Sequence, residues 1–188
     1  MIRAFIALPL PEATRRQLTL IQFLLPLPRR VEPEGFHLTL CFLGDLPEPV
    51  VQEVHHALEA VAAAPFVLRL RGLGMFGGTR PRLVYAAADP DPALAALQRK
   101  VETAARRAGA APESHRFVPH VTLGRFAPPP PETAMRIERA VAEGGGFACD
   151  PVQADAFALF RSHPGPSGSH YEELARYPLR GALHGSAD

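Results

Sequence analysis

One short run occurs twice, and it limits what this chain can become. His37-Leu-Thr-Leu40 and His120-Val-Thr-Leu123 lie about 80 residues apart, each within an alternating, strand-like stretch. Side chains i and i+2 of a strand share a face. Each run therefore sets one imidazole beside one hydroxyl and turns its apolar residues the other way. A fold that keeps both runs as strands buries two apolar faces and leaves two His-Thr pairs on the opposite faces. Pro119 fits this reading, because proline is tolerated at the first residue of a strand.

The surrounding elements also repeat. Apolar periodicity predicts strands at 2–8, 36–43, 66–74, 82–88, 119–126, 152–161 and 171–179. Helices are expected at 12–25, 49–63, 92–108 and 132–143. Their inward stripes are Leu18, Ile21 and Leu25, then Val50, Val54, Leu58 and Val61, then Leu94, Leu97, Val101 and Ala105. Pro26 and Pro28 end the first helix and Gly109 stops the third. Pro128 to Pro131 reads as a stiff connector, His163 to His170 as a loop near the cleft, and Gly181 to Asp188 as a frayed tail. If strand 82–88 opens a second unit, both units read strand-helix-strand-helix-strand, and the second adds one more strand. Phe5 and Tyr85 then take equivalent places. The expected fold is α+β: two pseudo-symmetric lobes, each an antiparallel sheet with two outer helices, and an active-site cleft between them. Residues 1–188 are expected to form a single domain built from two duplicated lobes.

Composition removes several classes of function. Twenty Lys and Arg against 19 Asp and Glu leave a formal charge of +1. An extended, non-specific grip on nucleic acid needs more cations than that. Recognition of an RNA end or one nucleotide remains open. Cys41 and Cys149 are too few for a disulfide framework and sit in no zinc-like cluster. The N-terminal residues lack the pattern of a secretory signal, and no stretch is long enough to span a membrane. A cytoplasmic, monomeric protein is expected.

Two histidines can divide general-acid and general-base work, because imidazole titrates near neutral pH. Two threonine hydroxyls can donate to non-bridging phosphate oxygens. The set suits in-line attack on a phosphodiester, one His activating water and the other protonating the leaving oxygen. A His pair can also bind metal, yet no third ligand accompanies either strand, so neither metal nor cofactor is expected. Residue chemistry alone does not say which His is acid and which is base.

With their flanks these motifs become specific. Arg3-Ala-Phe-Ile-Ala-Leu8, Pro33 to Asp45, Pro81 to Tyr85, Arg116 to Arg125, Phe157 to Ser162 and Tyr171 to Leu179 together resemble the 2H phosphoesterase superfamily. Within it, the chain is most similar to the RNA 2′,3′-cyclic phosphodiesterases, also called 2′-5′ RNA ligases. The resemblance implies that this is an enzyme opening the cyclic phosphate of an RNA 3′ end to a 2′-phosphate, with reverse 2′-5′ ligation. It implies His37 as proton donor, His120 as acceptor, and Thr39 and Thr122 as phosphate ligands. It also places a substrate-binding arginine at Arg125, which strict alternation would turn away from His120 unless Gly124 allows a bulge or Arg125 reaches round the strand end. The chain departs from the family in having no Trp near Arg30, and in Cys41 where Lys is frequent. A binding module for a nucleotide or RNA end, and a 2H enzyme for a small cyclic nucleotide, are the alternatives. Arg69, Arg71, Arg80 and Arg82 form a basic stretch that could follow RNA. Phe36 and Phe76 read as core residues, with base stacking the alternative. His55 and His56 read as surface residues.

Overall fold

The computed structural model describes residues 1–113, 116–165 and 168–181. In chain order the elements are β1 (Ile2–Pro9), α1 (Glu12–Leu24), β2 (His37–Leu46), α2 (Glu48–Glu59), β3 (Phe66–Leu68) and β4 (Leu70–Phe76). There follow β5 (Leu83–Ala88), α3 (Pro92–Arg107), β6 (His120–Arg125), α4 (Pro131–Glu143), β7 (Val152–Ala154), β8 (Ala156–Gly165) and β9 (Gly168–Pro178). Seven strands form one antiparallel sheet in the order β4-β5-β6-β2-β1-β8-β9, and β3 pairs separately with β7. The large sheet has a seam. β2 and β6 meet at the single pair Leu38↔Val121, whereas their outer neighbours pair along most of their length. The seam divides a three-stranded lobe, carrying α1 and α4, from a four-stranded lobe, carrying α2 and α3.

These lobes are not consecutive halves of the chain. β4 pairs with β5 and β8 pairs with β1, so the closing strand of each unit lies in the sheet of the other. The helices cross as well, α1 packing on β6 and α3 on β2. Residues 66–74 and 152–161 each read as one strand in sequence, but both are broken, at Arg69 and Asp155. The freed carbonyls at the breaks are satisfied: Asp89 N donates to Arg69 O (2.8 Å) and Leu179 N to Asp155 O (2.7 Å). The expected loop from His163 to His170 is instead a hairpin continuing β8 into β9, with His163 opposite His170. The frayed tail falls outside the described residues from position 182 onward.

The expected helix stripe is buried throughout α3 and in part elsewhere: Ile21, Val50 and Val61 are only half-buried, and Val51 takes the inward place expected of Val50. Leu94, Leu97, Val101 and Ala105 of α3 are at most 1% exposed, and Gly109 follows with φ +89°. In α2, Val51, Val54 and Leu58 face inward, while Val61 lies beyond the helix end. α3 begins with an Asp91 side-chain cap on the backbone N–H of Ala93 and Leu94.

Both motif strands carry the same irregularity. The register slips opposite Leu40 in β2 and opposite Leu123 in β6, so each has two consecutive buried residues after its His-x-Thr. A bulge of this kind inverts the alternation beyond it. It also takes a carbonyl out of the ladder, and in β6 that carbonyl is caught from below. Gln22, 4% exposed, donates from Nε2 to Leu123 O (2.7 Å) and Val31 O (2.8 Å), and Val31 N donates to Leu123 O (2.9 Å). Beside the bulge the chain runs close to Gly124, where an added Cβ would lie 2.8 Å from Arg29 O and 3.0 Å from Leu27 Cδ1. Gly124→Ala is therefore expected to cost about 1–3 kcal/mol. Gly145→Ala, with nothing within 4 Å, should stay within about 0.5 kcal/mol of wild type. Urea denaturation of the two variants checks this, and equal stabilities would contradict it.

Candidate active site

The single pair at the seam organises the site. Leu38 and Val121 are both fully buried. Antiparallel register about them sets His37 opposite Thr122 and Thr39 opposite His120, all four on the other face and half-buried. The two His-Thr pairs thus cross over one small area where the lobes meet, as the sequence expects.

Each imidazole is held in the same way. His37 Nδ1 lies 2.7 Å from Gly35 O, and His120 Nδ1 lies 2.7 Å from Val118 O. A carbonyl oxygen only accepts, so in both rings Nδ1 carries the hydrogen. That leaves each Nε2 as the free nitrogen, an acceptor when the ring is neutral and a donor when it is charged. Aromatic rings fix the imidazole planes. His37 packs on Phe5 (4.7 Å between centroids) and edge-on to Tyr171 (5.1 Å). His120 packs on Tyr85 (5.1 Å) and edge-on to Phe76 (5.2 Å). Phe5 and Tyr85 share this role without sharing a register position: Tyr85 lies opposite Thr122, whereas Ala7 lies opposite Thr39.

Arg125 stands on the same face as the histidines, because the bulge at Leu123 restores it there. Its positive charge acts on both imidazoles. Burial pushes His37 from the ordinary 6.5 down to about 4, against the opposing pull of Gly35 O and with small further depression by His120 and Arg125. His120 is lowered too, by burial first and by Arg125, with Val118 O opposing. The free site is a pocket of positive potential holding two neutral imidazoles near pH 7. An anion placed there favours a proton on one of them.

The equivalent of Arg125 in β2 is Phe42, likewise turned by its bulge and 60% exposed beside Phe5. Neither strict alternation nor hydropathy singles it out; the signal was the repeat itself, aligned past the motif. Phe36 is buried as expected, but Phe76 is not a core residue: it is 38% exposed and faces His120. The four arginines of the basic stretch part company. Arg71 pairs with Asp89 (3.5 Å) where β3 gives way to β4, whereas Arg80 and Arg82 are exposed in the β4–β5 connection beside Phe76. His55 is more than a surface residue, its Nδ1 lying 2.8 Å from Tyr177 Oη between α2 and β9, while His56 is exposed. A groove of about 410 Å³ is lined by His37 together with Phe160, Tyr171, Glu173 and Arg176, and does not reach His120. Among the described residues no three His, Cys, Asp or Glu side chains converge as a metal site would require, and no helix is long and apolar enough to cross a membrane.

Known proteins resemble this chain in sequence and in fold. Residues 10–164 match the family model of the 2′-5′ RNA ligase superfamily. An RNA 2′,3′-cyclic phosphodiesterase of Aeropyrum pernix is 38% identical over 159 residues, covering 84% of this chain and 88% of the relative. One of Thermus thermophilus is 36% identical over 198 residues, covering 96% and 91%. A Geobacillus stearothermophilus protein of the same name is 32% identical over 96% of this chain, which spans 58% of that longer relative. Among solved structures, E. coli LigT complexed with 3′-AMP superposes with TM-score 0.76 at 25% identity, over 95% of this chain and 98% of that one. A solved Thermus thermophilus protein gives 0.74 at 30% identity, over 96% and 100%. The chain therefore belongs to the 2′-5′ RNA ligase superfamily of 2H phosphoesterases, a family of enzymes.

The depressed protonation of His37 links the site to stability. Between pH 6.5 and about 4 the unfolded imidazole binds a proton that the folded one refuses. The unfolded state then holds more protons, so stability falls as pH drops through that window and the loss is complete below it. His37→Phe is expected to flatten this part of the pH dependence relative to wild type. Denaturant unfolding at several pH values measures it, and parallel curves for the two proteins would contradict it.

Proposed function

We propose that this enzyme hydrolyses the 2′,3′-cyclic phosphate at RNA 3′ ends to a 2′-phosphate, without metal, with His37 and His120 as its acid–base pair. The observation that carries this reading is the crossed register about Leu38 and Val121, which sets both histidines and both threonines on one face at the seam, with each imidazole held through Nδ1. Thr39 and Thr122 donate to the non-bridging oxygens and Arg125 offsets their charge. His120 Nε2 takes a proton from water as the water oxygen bonds to phosphorus. The P–O3′ bond breaks, and O3′ takes the proton of His37 Nε2. The difference in surroundings supports this division of roles. An imidazolium in the more desolvated cage around His37 sheds its proton more readily, while the less perturbed His120 is the stronger base. The bound phosphodiester anion supplies the charge that loads His37.

With a 5′-hydroxyl in place of water, the same steps join it to the cyclic phosphate in a 2′-5′ linkage. The relatives' names, RNA 2′,3′-cyclic phosphodiesterase, support the substrate class, and the LigT complex with 3′-AMP supports a nucleotide in this cleft. Both motifs come from one chain, so a monomer holds the whole site, and RNA ends in the cytoplasm are the substrate this reading implies. His37→Ala and His120→Ala should each lower kcat on a cyclic-phosphate oligonucleotide by about 10²–10⁴-fold. A chelator should leave the wild-type rate unchanged. Retained turnover in either variant, or loss on chelation, would overturn the proposal.

A further inference from the structure

We infer that Phe76 and the β4–β5 connection form the acceptor subsite, holding the nucleoside whose 5′-hydroxyl takes the place of water in the ligation direction. This rests on the cyclic phosphodiesterase reading. In-line displacement separates the two partners of the reaction. The leaving O3′ and its nucleoside lie toward His37, and the attacking oxygen lies at His120. Whatever binds an attacking alcohol larger than water must therefore adjoin His120.

Phe76 has the placement and the surface for this task. Its ring meets the His120 ring edge-on at 5.2 Å and lies 4.6 Å from Tyr85. It is nevertheless 38% exposed, at the end of β4. Phe5, which packs against His37, is 2% exposed and closed in by Phe160 and Tyr171. The rings against the two imidazoles thus differ: Phe5 is enclosed, with a groove opening past it on the His37 side, whereas Phe76 is itself open to an incoming ligand. A base stacked on an exposed aromatic is held without regard to its identity.

The connection that follows is shaped for close approach. Gly77, at φ +112°, leaves room for Arg80 O, which a Cβ there would overlap. Arg80 N donates to Gly77 O (3.0 Å) and Arg82 N to Phe76 O (2.9 Å), so the turn folds back directly behind the ring. Arg80 and Arg82 are exposed, and among the described residues neither is paired with a carboxylate. They bring positive charge to the side on which the acceptor's own 3′-phosphate continues.

The reaction balances without any added reagent. The 5′-oxygen bonds to phosphorus and its proton passes to His120 Nε2. The P–O3′ bond breaks and O3′ receives the proton from His37 Nε2, leaving a 2′-5′ diester and a free 3′-hydroxyl.

The test is a partition experiment. A cyclic-phosphate oligonucleotide is turned over in the presence of either a 5′-hydroxyl dinucleotide or methanol, and transfer is scored against hydrolysis in the same tube. Wild type is expected to transfer to the dinucleotide at least about 10-fold better per mole than to methanol. Phe76→Ala should reduce that preference by about 5- to 100-fold, as loss of one stacked base implies. Its methanol-to-water ratio should be unchanged, and Phe76→Tyr should keep the preference. Any general disturbance of His120 lowers all three products together and cancels in the ratios. Hydrolysis with an unaltered dinucleotide preference in Phe76→Ala, or no preference in wild type, overturns the subsite. Absence of hydrolysis by wild type overturns the underlying reading instead.

Discussion

The pairing of Leu38 with Val121 is the one contact on which the site depends. Two apolar side chains, fully buried, fix two strands at a single point. Because side chains alternate along a strand, that point also decides that two histidines and two threonines face the other way together. A slip of one residue would bury imidazoles in the core and expose leucine and valine. The energetics of the hydrophobic core therefore enforce the register of the candidate site. The four polar side chains need make no contact with one another to be correctly placed.

Around this point the structure puts symmetry and asymmetry to different uses. The shared bulge, the shared Nδ1–carbonyl bond and the ring against each imidazole make the two histidines alike in tautomer and orientation. Differences in burial, and Arg125 in β6 against Phe42 in β2, make them unlike in proton affinity and in neighbours. A reaction that needs one acid and one base can draw both from one repeated motif when packing sets them apart. Buried Gln22 is part of that difference. It satisfies the carbonyl freed at the β6 bulge, and so supports the backbone that returns Arg125 to the cleft.

Much of this was legible in the chain. The His-x-Thr runs carry their own facing rule, and the helices announce their stripes, as α3 shows at every inward position. What periodicity could not show was partnership. Nothing local tells that β8 pairs with β1 or β4 with β5, because edge and centre strands of an antiparallel sheet share one alternation. Breaks at Arg69 and Asp155 escaped for a similar reason: the apolar residues continue through them, and only donors distant in sequence, at Asp89 and Leu179, make the kinks tolerable. Arg125 was the instructive case. Strict alternation turns it away, the family resemblance demands it, and a one-residue bulge reconciles the two. Phe76 read as core by its hydropathy, and only the pairing of β4 with β5, and of β5 with β6, brings its ring to the histidine.

The crossed strands have a consequence for the order in which the molecule can be made. β1 emerges first in synthesis, yet its second neighbour, β8, begins at Ala156. Until then the first His-x-Thr strand lies in a sheet with an open flank, and Phe5 lacks Phe160 and Tyr171, the rings that enclose it beside His37. Contacts of such long sequence separation form late and slowly. A nascent chain interrupted before β8 thus carries both motifs but not the rings that enclose Phe5 and His37. The surroundings of His37 are thus complete only when nearly all of the sheet has been translated.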